Sequence, residues 1–305
     1  MGDSPGEVPV AAAGDLSGES TGERSVVPKR EQPARNLNSY RITEADALGD
    51  GGPKQKFRQN LSAIHVLRAL ESEGRPATPP EKATLVKYVG WGSFPQVFDD
   101  YNEEWASERE TLRQALTSEE LEFARSTTLN AHYTSPVIVS AMYAALERFG
   151  FQGGRILEPA CGIGHFIGLM PQAMLQRSTI TGIEIDPLTA RIAKVLYPDA
   201  DIRAQPFEKA KLAGGFYDVA ISNVPFGDYP VHDPRWNDYK FPIHDYFFAA
   251  GLEKVRPGGL ILFITSKGTL DKLTRPCGNT FRPKRNCSAL FDFPTMLSRG
   301  TPGPR

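Results

Sequence analysis

Cysteine is scarce in this sequence, which limits the kinds of site and compartment to consider. The 305 residues include three cysteines, Cys161, Cys277 and Cys287, and no two of them form a Cys-x-x-Cys pair. An odd number at this spacing supports neither a disulfide framework nor a zinc site. We therefore predict a reduced, cytoplasmic protein without a bound metal.

Long apolar runs and an excess of one charge are also lacking. The N-terminal apolar run, Val8–Ala13, is short and has acidic neighbours, unlike a signal peptide. No run approaches the length of a membrane span. The formal net charge is -1, so no global basic field indicates nucleic acid, and any DNA contact must depend on a local patch. Apolar residues make up 40% of the chain, which is adequate for a packed core.

The two ends of the chain differ in composition from the middle. Residues 1–54 are rich in Gly, Ser, Pro, Glu and Arg without a period, which is typical of a disordered tail. Residues 272–305 are rich in Pro and Arg and predict a second irregular tail, since the prolines interrupt any long helix or strand.

Residues 55–130 carry helical patterns. Apolar residues at three-residue spacing across Leu61–Leu70 predict an amphipathic helix. A second helix is predicted from Thr78 until Tyr88–Gly92 breaks it, and a capping box predicts another helix from Thr117. We expect this small helical region to brace the domain that follows.

Residues 131–271 alternate strand and helix signals and form the predicted catalytic domain. The strand candidates, which are short and rich in Ile, Val and Leu, are Arg155–Glu158, Ile180–Ile185, Asp201–Ala204, Asp218–Ser222 and Leu260–Thr265. The helix candidates are Pro136–Phe149, His165–Leu175, Pro187–Tyr197 and His244–Val255. This alternation implies βαβ units and an α/β fold with a mostly parallel sheet. Ligands of such sheets bind at the carboxyl ends of the strands.

A glycine loop, Glu158–Gly164, follows the first predicted strand. Its two glycines, Gly162 and Gly164, allow a tight turn and close approach of a ligand to the backbone. A dinucleotide fingerprint would place a third glycine where Ile167 stands, and the Gly-Lys-Ser/Thr of a phosphate loop is absent.

Two acids near this loop indicate the class of ligand. The Glu158 carboxylate would repel a pyrophosphate but would pair with a cation. S-adenosylmethionine, which carries an ammonium and a sulfonium group and no phosphate, is therefore the predicted cofactor. Glu184, at the end of the next strand, is placed to accept hydrogen bonds from both ribose hydroxyls.

The tetrapeptide Asn223–Phe226 ends another predicted strand. An aromatic amine is a poor nucleophile because its lone pair is delocalised into the ring. Asn223 Oδ1 and the Val224 carbonyl can accept hydrogen bonds from the two N–H groups of such an amine. Pro225 helps to aim that carbonyl, and Phe226 can stack on the base. These four residues are the predicted catalytic set, for direct methyl transfer assisted by positioning.

These residues resemble the N6-adenine DNA methyltransferases, whose motif is Asn/Asp-Pro-Pro-Tyr/Phe; here Val224 replaces the first proline. The resemblance implies a Rossmann-like, S-adenosylmethionine-dependent enzyme that acts on an adenine flipped out of DNA. The cofactor contacts that it implies fall on Tyr133, Thr134, Glu158, Pro159, Ala160, Cys161, Gly162, Gly164, Glu184, Ile185 and Phe207. Phe207 would pack on the cofactor adenine, whereas Gln205 stands where the family often has an acid for the adenine amino group.

More narrowly, residues from about 57 to 272 resemble the methylase part of large helicase-linked proteins of phages, plasmids and integrative elements. This resemblance rests on five short sequence motifs, Arg75–Thr78, Tyr88–Gly92, Leu129–Thr134, Asn223–Gly227 and Thr265–Asp271. Such methylases continue with further strands and with DNA-recognition and helicase parts. The change of character at Lys272 therefore predicts a truncated chain whose sheet lacks its last two strands and leaves an open apolar edge.

Two alternatives remain open. The same chemistry could act on a protein glutamine, since glutamine methylases share an Asn-Pro-Pro-Tyr motif, or on an RNA base. The chain could instead be a non-enzymatic remnant or a partner-binding module, which the irregular C-terminal segment favours.

Overall fold

A parallel sheet forms the centre of the protein. The computed structural model describes residues 38–128 and 134–265, and within them five strands form one sheet in the order β3-β2-β1-β4-β5, with every neighbouring pair parallel. The strands are β1 (Arg155–Glu158), β2 (Thr179–Glu184), β3 (Asp201–Ala204), β4 (Tyr217–Asn223) and β5 (Val255–Ile264). Most residues of β4 are buried, as expected for a strand with both faces covered. The predicted α/β fold with a parallel sheet is confirmed.

Most helices begin and end close to the predicted positions. Their bounds are α1 (Pro53–Glu73), α2 (Pro79–Leu85), α3 (Ala106–Ala115), α4 (Ser118–Thr127), α5 (Pro136–Arg148), α6 (His165–Leu169), α7 (Gln172–Gln176), α8 (Pro187–Leu196) and α9 (Ile243–Lys254). The predicted helix His165–Leu175 is wrong in extent. It divides into α6 and α7 because Pro171 lacks an N–H group and cannot continue the helical hydrogen bonds. α3 is a further helix that the apolar spacing does not predict.

The predicted capping box at Thr117 holds α4 in place. The Thr117 N–H donates to Glu120 Oε2 at 3.0 Å, and the Glu120 N–H donates back to Thr117 Oγ1 at 3.2 Å. Glu120 Oε1 also accepts a hydrogen bond from Arg191 Nη1 of α8 at 3.0 Å. α4 is therefore tied to a helix that packs on the sheet.

The helical region and the sheet share one hydrophobic core. Phe57 and Leu67 of α1 are buried in the same cluster as Trp91 and as Ile156 of β1. The next residue of β1, Leu157, belongs to a second cluster, because successive side chains of a strand point to opposite faces of the sheet.

A buried asparagine fixes the loop that follows α2. The Asn60 side chain accepts a hydrogen bond from the Val89 N–H at 2.8 Å and donates one to the Gly90 carbonyl at 2.6 Å. Asn60 is fully buried, so these bonds satisfy polar groups that water does not reach.

Residues 38–54, which the sequence assigns to a disordered tail, make specific contacts with the rest of the protein. The Tyr40 N–H donates to the Leu196 carbonyl at 2.8 Å, and the Ile42 N–H donates to the Gly168 carbonyl at 3.1 Å. The Ile42 side chain joins the first core cluster. The predicted end of the disordered tail at residue 54 is wrong. It is based on the average composition of residues 1–54, to which the few apolar residues that anchor the segment contribute little.

Some predictions fall outside the described residues. They concern the irregular tail 272–305, the predicted lack of the last two strands after Thr265, residues 1–37 and the segment 129–133. Within the described sheet, β3 and β5 are the edge strands. Of the helices that the structure describes, none is long and apolar enough to cross a membrane.

Candidate cofactor and substrate site

A cavity of about 500 Å³ lies at the carboxyl ends of β1, β2 and β4. Residues that are distant in sequence meet there because parallel strands end at one edge of the sheet. The predicted site residues that line it are Thr134, Glu158, Pro159, Ala160, Cys161, Gly162, Glu184, Ile185, Gln205, Phe207, Asn223 and Pro225. Tyr133 lies outside the described residues.

The glycine loop between β1 and α6 depends on two positive φ angles. Gly162 and Gly164 have φ values of 55° and 86°, which glycine adopts without strain. The Gly164 N–H closes the turn on the Cys161 carbonyl at 2.8 Å. A Cβ atom at position 164 would lie 2.7 Å from Tyr197 Cδ2. Gly164 therefore supports the loop from behind, while Gly162 lines the cavity.

Glu184 joins the end of β2 to this loop. Its Oε2 accepts the Gly162 N–H and its Oε1 accepts the Asp186 N–H, both at 2.8 Å. Burial raises the pKa of Glu184 to about 7, although these N–H donors act in the opposite direction. A carboxylate has about four acceptor positions, so Glu184 retains capacity for hydroxyl donors from a ligand.

Glu158 is a buried acid at the end of β1. It is 1% exposed, and burial, followed by the charge of Glu184, raises its pKa well above its usual value. Within residues 38–128 and 134–265, Glu158 Oε1 has no hydrogen-bond partner. A buried carboxylate oxygen in this state is costly unless a ligand supplies a donor.

Most ionisable side chains of the cavity lining are acidic. Asp186 and Glu208 line it together with Glu158 and Glu184, and no Lys or Arg is among its described lining residues. His165 also lines the cavity, but burial lowers its pKa to about 4, so the imidazole is neutral at pH 7. This lining favours a cationic ligand over a phosphate.

Phe207 and Ile185 provide apolar surface in the cavity. Phe207 is held by two rings of α9, with centroid distances of 6.2 Å to Tyr246 and 5.2 Å to Phe247. Ile185 is 50% exposed. Since both side chains line the cavity, a planar ring can pack against them.

The tetrapeptide Asn223–Phe226 leaves the sheet at the end of β4. Asn223 and Pro225 line the cavity. Val224 is buried, and its N–H donates to the Ile264 carbonyl at 3.2 Å. Phe226 packs against the second core cluster and is not one of the described residues that line the cavity.

A hydrogen bond links the residue just before this tetrapeptide to the glycine loop. Ser222 Oγ donates to the Ala160 carbonyl at 3.2 Å. Asn223 and Gly162 therefore border one cavity, as the order of motifs predicts, although the chemical role of each predicted site residue remains a prediction.

The segment from Gly227 to Pro242 forms a wall of the cavity beside Asn223. Tyr229, Val231 and His232 line the cavity from this segment. Its backbone is fixed to the start of α9, because the Ile243 N–H donates to the Tyr229 carbonyl at 2.9 Å and Pro230 forms an antiparallel bridge with Pro242.

Asp233 holds the middle of the same segment. It is 3% exposed and accepts hydrogen bonds from Tyr246 Oη at 2.9 Å and from Arg235 Nη2 at 2.7 Å. Burial alone would raise the pKa of Asp233, but these bonds hold it below its usual value. A charged Asp233 therefore anchors this wall to α9.

Sequence reasoning missed several residues that line the cavity. They are Gly90 and Trp91 after α2, Phe123, Ser126 and Thr127 of α4, and Val231 and His232. The segment Tyr88–Gly92 breaks a predicted helix and is one of the motifs shared with helicase-linked methylases. That motif is the one sequence signal that points to Trp91. α4 carries no comparable signal, because its contact with the cavity depends on tertiary packing.

No family model matches this chain, but curated proteins are similar to part of it. It is 26% identical over 140 residues to the Defense against restriction protein B of Escherichia phage P1, covering 45% of this chain and 6% of that protein. It is 26% identical over 150 residues to the rRNA N(6)-adenosine-methyltransferase metl-5 of Caenorhabditis elegans, covering 47% of this chain and 65% of that protein. It is 28% identical over 149 residues to the Type II methyltransferase M.TthHB8I of Thermus thermophilus, covering 43% of this chain and 33% of that protein.

A solved structure from Listeria monocytogenes, described as a class I S-adenosylmethionine-dependent methyltransferase, is also similar. It matches 74% of this chain and 77% of its own length, with 17% identity and a TM-score of 0.40. The fold assignment itself depends on the observed order and direction of the strands. The resemblance of the sequence to N6-adenine methylases is confirmed by the curated relatives, two of which are named as methyltransferases.

Proposed function

We propose that this chain binds S-adenosylmethionine and transfers its methyl group to the N6 amino nitrogen of adenine in DNA. The observation that carries the proposal is that Asn223 and the hydrogen-bonded pair Gly162–Glu184 border one cavity. That cavity offers a place for a methyl donor beside a place for a planar amino group.

The charge and the surface of the cavity suit this cofactor. Glu158 Oε1, which has no partner among the described residues, suits an ammonium group. Glu184 can accept ribose hydroxyls, as acids at this position do in dinucleotide folds. Phe207 and Ile185 provide apolar surface for the adenine ring. When bound, the cofactor supplies a methyl group on a positively charged sulfur atom.

The tetrapeptide suits an amino group that must be made more reactive. Asn223 Oδ1 and the Val224 carbonyl are the acceptors that would favour a more tetrahedral nitrogen, whose lone pair is then available. Pro225 restricts Val224 to an extended backbone and so helps to aim the carbonyl. These residues would act by positioning the substrate nitrogen, which is sufficient for a large share of catalysis.

The choice of adenine in DNA is supported by the resemblance of the tetrapeptide to the N6-adenine DNA methyltransferases. The relatives named above include both an rRNA N6-adenosine enzyme and a Type II methyltransferase, so RNA is the main competing substrate. A target adenine in duplex DNA would have to leave the base stack to reach the cavity.

A local positive surface suits a nucleic-acid partner. A groove of about 310 Å³ between α1 and the end of α2 is lined by Arg58, Lys87 and four uncharged polar residues, without an acid among its described lining. Since phosphate contacts supply most of the non-specific affinity for nucleic acid, this groove can contribute to binding although the whole chain carries a formal net charge of -1.

The proposal is tested with radiolabelled S-adenosylmethionine and three acceptors: DNA, RNA and bulk protein. We expect the label in DNA, as N6-methyladenine after nuclease digestion, and we expect no label with the Asn223→Ala variant. Label in RNA alone would change the substrate class, and label in protein alone would favour the glutamine alternative.

A binding experiment separates the cofactor from the chemistry. Titration calorimetry with S-adenosylmethionine should detect binding, and a thermal melt should shift upward because the ligand stabilises the native state. A folded preparation that neither binds nor shifts contradicts the whole proposal. Binding without transfer to any acceptor would support a non-enzymatic remnant.

A further inference from the structure

We infer that Tyr229 forms a stacking subsite for the target base, above Gly227 and beside Asn223. This inference rests on the proposed function, and it identifies the ring that would hold the base while its amino group is methylated.

The Tyr229 ring lines the same cavity as Asn223 and lies against Gly227, the residue that follows the tetrapeptide. Tyr229, Asn223 and Pro225 line the cavity together, and Tyr229 is 42% exposed. A partly exposed ring of this kind presents a face to the cavity at low conformational cost. Stacking on an aromatic side chain suits any nucleobase, because every base has a π face.

Phe226 does not occupy this position. The sequence assigns base stacking to Phe226, but its ring packs against the second core cluster and it is not among the described residues that line the cavity. From the Gly227–Pro242 segment, Tyr229 is the described Phe, Tyr or Trp residue that lines the cavity, together with the Asn223 amide that would hold the amino group.

Gly227 makes room for this ring. A Cβ atom at position 227 would lie 2.7 Å from Tyr229 Cδ1 and closer still to Cε1. The tyrosine ring therefore occupies the space that a side chain at 227 would take. The φ angle of Gly227 is not positive, so alanine is compatible with its backbone and would act mainly by displacing the ring.

The backbone beneath the ring is held in place before any substrate arrives. The Tyr229 carbonyl accepts the Ile243 N–H at 2.9 Å, and Pro230 is bridged to Pro242. A ring on a fixed backbone loses little freedom on binding, which favours affinity.

Tyr239 provides a matched control on the same segment. It is 47% exposed, and its ring stacks on Phe241 with a centroid distance of 5.1 Å and an interplanar angle of 13°. It is not among the described residues that line the cavity. Tyr229 and Tyr239 thus share residue type, exposure and chain segment but differ in their relation to the cavity.

The test compares two fluorescein-labelled single strands by anisotropy, with S-adenosylhomocysteine present. One is oligodeoxyadenylate, in which every position offers an adenine, and the other is an abasic strand of the same length. The full-length wild type should bind the adenine strand more tightly. Tyr229→Ala should weaken binding to the adenine strand about tenfold, since one base-aromatic stack contributes roughly 1–3 kcal/mol, and should leave the abasic strand unaffected.

The other variants separate ring position from general damage. Gly227→Ala should reproduce the loss, Tyr229→Trp should retain binding, and Tyr239→Ala should bind like the wild type. All should bind S-adenosylmethionine equally in calorimetry. If Tyr229→Ala does not fold, Tyr229→Leu removes the π face with less loss of bulk.

Each result decides the inference. Unchanged binding by Tyr229→Ala, or an equal loss with Tyr239→Ala, overturns the stacking subsite and leaves the proposed function intact. A wild type that binds both strands equally overturns the subsite and the adenine substrate together. Retained cofactor binding in that case shows that the cofactor part of the proposal survives.

Discussion

The backbone N–H of Gly162 donates a hydrogen bond to Glu184 Oε2 across 2.8 Å. This bond joins the loop after β1 to the end of β2, so two parts of the predicted cofactor site are held as one unit. Gly162 itself has a positive φ angle of 55°, which glycine adopts without strain.

The Glu184→Gln variant should bind S-adenosylmethionine about 10- to 100-fold more weakly. It removes the charge that strengthens the bonds to the ribose hydroxyls and to the Gly162 N–H, and hydrogen bonds to charged groups contribute roughly 1.5–3 kcal/mol. Calorimetry measures the change. Glu208→Gln is the matched control, since Glu208 lines the same cavity; an equal loss there would show that only the total charge of the cavity matters.

The contribution of Glu158 and Glu184 to the free energy of unfolding should fall as the pH rises from about 4.5 to about 7. Burial raises the pKa of Glu184 from 4.5 to about 7 and raises that of Glu158 in the same direction. Over this interval these two carboxyl groups bind more protons in the folded chain than in the unfolded chain, so their titration favours unfolding as the pH rises. His165, whose pKa burial lowers from 6.5 to about 4, contributes with the opposite sign, so each contribution is isolated by comparing the wild type with a variant. Glu158→Gln should reduce this slope and stabilise the protein at pH 8 by about 1–3 kcal/mol. Denaturant unfolding at pH 5 and pH 8 measures it, and an unaltered slope in both Glu158→Gln and Glu184→Gln would contradict this account.

The Asn223→Ala variant should lose methyl transfer by a factor of about 100 or more, because a preorganised polar group at a reacting atom contributes on that order. Its affinity for S-adenosylmethionine should match that of the wild type, since the predicted cofactor contacts lie on the other strands. Transfer kinetics and calorimetry on the same preparation give both values. Wild-type turnover by this variant would remove Asn223 from the proposed mechanism.

The Gly164→Ala variant should destabilise the fold by about 2 kcal/mol or more. Gly164 has a φ angle of 86°, and a Cβ atom there would lie 2.7 Å from the buried ring of Tyr197. Chemical denaturation measures the loss. Gly214→Ala is the control, since its φ angle is not positive and its nearest contact would be 3.5 Å away; comparable losses at both positions would refute the steric argument.

The Asp233→Asn variant should loosen the wall that carries Tyr229. It weakens the bonds from Arg235 and Tyr246, at a cost of about 1–3 kcal/mol. Binding of oligodeoxyadenylate should weaken, whereas binding of S-adenosylmethionine should change little. Anisotropy measures the affinity for oligodeoxyadenylate, and calorimetry measures the affinity for S-adenosylmethionine. A variant that loses affinity only for S-adenosylmethionine would contradict this role of Asp233.

Local patterns were sufficient for β1 to β4, most of the helices and the glycine loop, whereas β5 begins at Val255, five residues before the predicted start at Leu260. The alternation of apolar and polar residues reports which faces are buried, and capping boxes such as Thr117–Glu120 report where helices begin, because both depend on residues close together in the chain. The same patterns failed at His165–Leu175, where Pro171 divides the helix. They also failed at residues 38–52, where a few contacts hold the segment on the domain although its average composition is typical of disorder.

The sequence by itself determined that an acid, a glycine turn and an amide would meet at one edge of a parallel sheet, because strand direction places them there. Only the tertiary structure decided that Glu158 Oε1 is buried without a hydrogen-bond partner among the described residues, and that α4, Trp91 and Tyr229 line the cavity. It also placed Phe226 against the second core cluster. The direction of a side chain depends on what packs around it, and those neighbours come from distant parts of the chain.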